Sequence, residues 1–142
     1  MTTLYSTKVT AIGGRAGSVR SDDGLIDFSL ALPTGMGGKG GATNPEQLFA
    51  AGYAACFENA ILHVAQKQSA GIADNAITVV ATVGIGPNST GGFALSVALD
   101  VAFTGVELEK AKGLVATAHQ VCPYSNAVRG NIDVAITVSS DA

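Results

Sequence analysis

Charge is scarce in this chain: 13% of its 142 residues are Asp, Glu, Lys or Arg, while 47% are hydrophobic. Eight basic residues face eleven acidic ones, and no basic cluster offers the electrostatic footprint that nucleic acid requires. Long apolar runs are missing too. None approaches the ~18 residues that span a bilayer, so no membrane partner is expected. The opening MTTLYSTKVTAIGG has no basic start followed by an apolar core and a small-residue cleavage site, which leads to the expectation of a cytoplasmic chain. Cysteine is limited to Cys56 and Cys122. In a reducing compartment such a pair does not imply a structural disulfide; the thiols are inert and buried, metal-bound or catalytic.

The length suits one domain over residues 1–142, since a chain of roughly 150 residues buries about 70% of its unfolded surface. With so few charges to cover its outside, the chain is expected to bury part of its surface against a second copy, as a homodimer. LYSTKVTA alternates, GGRAG is a tight-turn signal and SVRSDDG follows, which together predict a hairpin; LIDFSLAL adds a third strand. PTGMGGKGGAT is glycine-rich but is no phosphate loop, because Pro33 stands where the first glycine belongs and Gly40 where Ser or Thr belongs. It reads as a mobile loop.

NPEQLFAAGYAACFENAILHVAQKQSAG predicts the central helix. Asn44 is its cap, Pro45 takes the first helical position, Gln47 has capping-box spacing, and Gly71 marks the end. AITVVATVGIG and GFALSVALDVAF alternate around a PNSTGG turn as a second hairpin. VELEKAKGLVATAHQVC puts Leu108, Ala111, Val115, Ala118 and Val121 on one helical face, and NIDVAITVSS supplies a last strand. The order is βββ-α-ββ-α-β, an α+β fold with antiparallel sheets and two main helices.

Cys56 lies deep in the apolar central helix, where burial disfavours the thiolate; to react it needs a cation. Arg15, inside the glycine turn, is either that cation or an ordinary exposed turn residue. Glu46 complements the helix dipole in the first turn, or holds an arginine by a two-pronged pair. Ten residues of unbroken helix separate Glu46 from Cys56 by about 15 Å. If both serve one site, either the helix breaks near Gly52 or Glu46 and Arg15 come from a second subunit. Cys122 closes the second helix at the negative end of its dipole, so it suits a resolving thiol better than a first nucleophile, with Pro123 and SNAVRG as a flexible turn. His119 shares its face, but with two histidines in all the chain is short of ligands for a metal site, and none is expected. Phe49, Tyr53 and Phe57 either line an apolar substrate pocket or fill the core.

GGRAG, GGKGGATNPEQLFAAGYAACF and HQVCPYSNAVRGNIDV together resemble the organic hydroperoxide resistance branch of the Ohr/OsmC thiol peroxidases, over nearly the whole chain. The resemblance implies an intertwined homodimer with active sites at the subunit interface. It makes Cys56 the peroxidatic cysteine, Cys122 the resolving one, Arg15 the activating arginine and Glu46 its partner. It further implies organic hydroperoxides, including those of fatty acids, as substrates, a Cys56 sulfenic acid, a Cys56–Cys122 disulfide, and a lipoylated protein or other dithiol as reductant, with no cofactor. One departure is Ala16, where family members often carry a polar or acidic residue. Two other functions fit the same residues: a general peroxidase of the OsmC type, and a non-catalytic lipid-binding protein with inert thiols.

Overall fold

A computed structural model describes residues 1–141, and its elements follow the predicted order with one addition. Two compact units are present, Met1–Leu48 and Phe49–Ala142.

In the first unit β1 (Val9–Ile12), β2 (Ser18–Ser21) and β3 (Asp27–Ser29) form an antiparallel sheet in sequence order. The GGRAG segment joins β1 to β2 through a single 3-10 turn, Gly14–Ala16. That path requires glycine: Gly13 has φ 84°, and a Cβ on Gly17 would stand 1.7 Å from the carbonyl oxygen of Ile12. The glycine-rich loop read as mobile is closed on itself. Ala31 N–H donates to Thr43 O, Gly38 N–H to Pro33 O and Gly40 N–H to Leu32 O, each at 3.0 Å.

Helix α1 (Pro45–Lys67) begins in the first unit and runs unbroken through Gly52 into the second, which removes the option of a helix break. Its cap is as predicted in one half. Asn44 Oδ1 accepts from Gln47 N–H at 2.9 Å, a bond contributing about 1 kcal/mol, but the Gln47 side chain turns to Thr43 Oγ1 (2.8 Å).

The second unit is built on β4 (Ile77–Pro87) and β5 (Phe93–Phe103), an antiparallel hairpin of eleven residues a side. Asn88 closes its turn, with Oδ1 accepting from the N–H of Thr90 and Gly92. Strand alternation does what the pattern predicts: Val97, Leu99, Val101 and Phe103 point into the core. Helix α2 (Leu108–Val121) buries Ala111, Leu114, Val115 and Ala118, while Leu108 and Val121 at its two ends stay open. The stripe thus follows the 3.6-residue period through Leu114, and its next position is Cys122.

A short helix α3 (Pro123–Val128), unexpected from the sequence, precedes β6 (Ala135–Ser140). β6 lies parallel to β5, so this sheet is mixed where antiparallel pairing was expected; the α2–α3 crossover is the connection that a parallel neighbour needs. By length and composition α1 is apolar enough to cross a bilayer, but it serves as a core helix. Tyr53, Phe57, Ala60, Ile61, Val64 and Ala65 are buried along one stripe. Its other face leaves Ala51 and Ala55 exposed.

Candidate active site

Proline decides the local geometry around Cys122. A residue before proline is pushed out of the α region, and Cys122 sits at φ −64°, ψ 123°, ending α2, while Pro123 opens α3 in the first-turn position that tolerates it. The thiol therefore occupies a joint between two helices, where the sequence suggested a helix end running into a flexible turn. α3 is anchored by the buried Ser125 and Val128.

Cys122 is fully buried, Cys56 on α1 is half-buried, and both are free thiols. They adjoin each other. Burial, and next the neighbouring Cys122, push the Cys56 thiol above its ordinary range, while the backbone N–H of Tyr124 opposes the shift. No cation of residues 49–141 is among the groups that move it.

Arg15 and Glu46 are brought together within the first unit. Arg15 Nη1 donates to Glu46 Oε2 at 2.9 Å and Nη2 to Oε1 at 2.5 Å, a two-pronged pair with side chains 33% and 13% exposed. The guanidinium holds the Glu46 carboxyl below the usual carboxylate range, and Glu46 in turn raises Arg15. Ala16 points to solvent, and the grip on Arg15 comes from Glu46.

Tyr53 and Phe57 are fully enclosed, with ring centroids 6.3 Å apart, so they pack as core; Phe49 stays partly open. Phe49 and Tyr53 meet the ring of Tyr124 at 6.2 and 5.6 Å. Tyr124 lies over Gly52, one helical turn before Cys56. A Cβ at Gly52 would come within 2.4 Å of the Tyr124 hydroxyl oxygen. Gly52→Ala is therefore expected to destabilise by about 1–3 kcal/mol through overpacking. Tyr124→Phe should recover part of that loss, since the hydroxyl is the nearest atom while ring carbons at 3.0 and 3.1 Å remain; urea unfolding of the two variants and their double checks this, with simple additivity as the contrary result.

Sequence reasoning missed Ser125. Its Oγ, fully buried, lies 2.7 Å from Tyr53 Oη and 2.8 Å from His119 Nδ1. His119 also stacks on Phe57 and receives Arg129 Nη2 at its backbone carbonyl. The available signal was spacing: Tyr53 precedes Cys56 by three residues, and His119 precedes Cys122 by three. Burial first, and Arg129 second, lower the pKa of His119 and keep it neutral. A depressed histidine protonates more readily when unfolded, so the stability it contributes is complete above about pH 6.5 and is lost as pH falls through the folded value. The urea midpoint should fall below about pH 6.5, and less steeply in His119→Gln; identical slopes would contradict this.

A hollow of about 660 Å³ along the C-terminal half of α1, lined by Asn59, Leu62, His63 and Gln66 among others, includes neither cysteine.

These features define an α+β protein with two adjoining free thiols, one half-open on a central helix and one sealed at a helix joint. A family model described as OsmC-like protein matches residues 38–137. Organic hydroperoxide resistance protein OhrB of Bacillus subtilis is 49% identical over 131 residues, 92% of this chain and 95% of that protein. A protein named for the same resistance in Xanthomonas axonopodis pv. citri is 47% identical, over 96% of this chain and 95% of its own length. The crystal structure of an organic hydroperoxide resistance protein from Legionella pneumophila superposes with a TM-score of 0.92 at 52% identity, covering 97% of this chain and 99% of that one. The chain belongs to the OsmC-like family, in its organic hydroperoxide resistance branch.

Proposed function

We propose that the protein is a cysteine-based reductase of organic hydroperoxides, fatty-acid hydroperoxides included. The observation that carries this reading is the adjoining pair of free thiols, Cys56 half-open and Cys122 sealed behind it. The Cys56 thiolate attacks the distal peroxide oxygen; the O–O bond breaks, an alcohol leaves after protonation, and the sulfur becomes a sulfenic acid. Cys122 displaces water from that sulfenic acid, forming the Cys56–Cys122 disulfide. A lipoyl dithiol, or another dithiol, then reduces the disulfide by exchange and is itself oxidised.

Burial alone would keep Cys56 protonated, so the first step needs a cation. Arg15, fixed in direction by the two oxygens of Glu46, fills that role. Because α1 is unbroken, Glu46 lies about 15 Å along the helix from Cys56 of its own chain. The Arg15–Glu46 pair is therefore assigned to the site of a second subunit in a homodimer. Exposed apolar side chains support that assembly: Val9, Ile12 and Phe28 on the first sheet, Val80 and Phe93 on the second. Phe49, backed by the enclosed Tyr53 and Phe57, receives the alkyl part of the substrate. The compartment proposed for this reaction is the cytoplasm.

Comparing kcat/KM for cumene hydroperoxide and hydrogen peroxide tests the reading. A preference of roughly tenfold or more is expected, since burying even two methylene equivalents contributes about 1.6 kcal/mol. Equal rates would point to a general peroxidase of the OsmC type.

A further inference from the structure

Tyr53 Oη on α1 and Ser125 Oγ on α3 are buried together in the apolar core of the second unit, and the half-buried His119 on α2 joins them through Nδ1. Burying such groups is costly unless each finds a partner, and here they satisfy one another. Donor and acceptor accounting fixes the direction of the chain. A serine hydroxyl has one proton, and the neutral His119 ring has one nitrogen free to accept. Tyr53 O–H donates to Ser125 Oγ, Ser125 O–H donates to His119 Nδ1, and the ring proton sits on Nε2. The opposite direction would leave the Tyr53 proton, in a fully enclosed side chain, without one of these acceptors.

The chain braces three helices, and each contact lies one turn from a thiol: Tyr53 three residues before Cys56, His119 three before Cys122, and Ser125 three after Cys122. Ser125 also follows directly on Tyr124, whose ring packs on Tyr53 and over Gly52, one helical turn before Cys56, and whose backbone N–H works against the upward shift of the Cys56 thiol. We infer that Ser125 is a positioning residue: through the Tyr53–Ser125–His119 chain it fixes the start of α3 against α1 and α2, and with it the placement of Tyr124 and Cys122 relative to Cys56. It touches no substrate. Its effect is to favour negative charge on the Cys56 sulfur and to keep the resolving thiol within reach. This deepens the peroxidase reading and takes its catalytic meaning from it.

The test is the pH dependence of Cys56 alkylation by iodoacetamide in the full chain carrying Cys122→Ser, so that a single thiol reports. Adding Ser125→Ala should slow alkylation at pH 7 about tenfold and move the profile about one unit upward, as loss of a charge-assisted hydrogen bond requires. Tyr53→Phe, which keeps the ring's packing, should shift the profile the same way by less. Unmoved profiles in folded variants overturn the inference. Should the variants fail to fold, amide hydrogen exchange of Tyr124 in the unaltered protein decides: protection like that of the core of α1 is expected, and exchange at the rate of an open loop overturns it. Neither readout uses a peroxide. A shifted profile in a protein that reduces no hydroperoxide would remove the peroxidase reading and leave this one, and an unmoved profile in an active peroxidase would do the reverse.

Discussion

Arg15→Ala is expected to raise the Cys56 thiol by about one to three pKa units and to slow its reaction with cumene hydroperoxide at pH 7 by roughly 10- to 1000-fold, the range that one nearby opposite charge spans. Without that cation the forces on Cys56 point upward, from burial and from Cys122, with only the Tyr124 N–H opposing them. The sign follows: the thiolate fraction at neutral pH falls when the guanidinium is removed. Glu46→Gln should act in the same direction but less, because the charge remains while its two-pronged hold is broken. Arg15→Lys should restore little, since an ammonium lacks the planar fork that both oxygens of Glu46 grip. Thiolate absorbance against pH, in a Cys122→Ser background, measures the first effect, and stopped-flow oxidation measures the second. An unchanged titration in Arg15→Ala would dismiss the guanidinium as the activating group.

The second large effect separates the two thiols. Cys56→Ser should abolish hydroperoxide reduction altogether, because a serine hydroxyl supplies no thiolate and cannot be carried to a sulfenic acid. Cys122→Ser should keep the first step, reducing about one equivalent of hydroperoxide per chain, and then lose dithiol-driven turnover through the disulfide. Their burial agrees with this order: Cys56 is half-buried and Cys122 fully buried. Loss of the first step in Cys122→Ser, with Cys56→Ser still active, would exchange the two roles.

Much of this arrangement could be read from residue patterns. The Asn44–Pro45 start, the alternation of β4 and β5 and the GGRAG turn each rest on local rules, and local rules carry over directly into backbone. The Arg15–Glu46 pair was readable as a possibility because a first-turn acid and a turn arginine suit each other chemically, although thirty-one residues separate them. What stayed hidden depends on tertiary context. SNAVRG resembles a turn in composition, yet Pro123 restarts a helix there and Ser125 is drawn into the core by Tyr53 and His119. The parallel placement of β6 was equally out of reach, since strand direction is set by the crossover and not by the strand's own alternation. Tyr53 and Phe57 suited a pocket or a core equally well in sequence, and their full burial depends on neighbours that no local pattern names.

Counting free thiols after treatment with one equivalent of an organic hydroperoxide tests the central claim most directly. The two-cysteine mechanism predicts that both are lost together, that a single Cys56–Cys122 disulfide links the corresponding peptides, and that a lipoyl dithiol brings both back. Two thiols still titrating after the peroxide has been added would contradict it and leave a binding protein with inert cysteines.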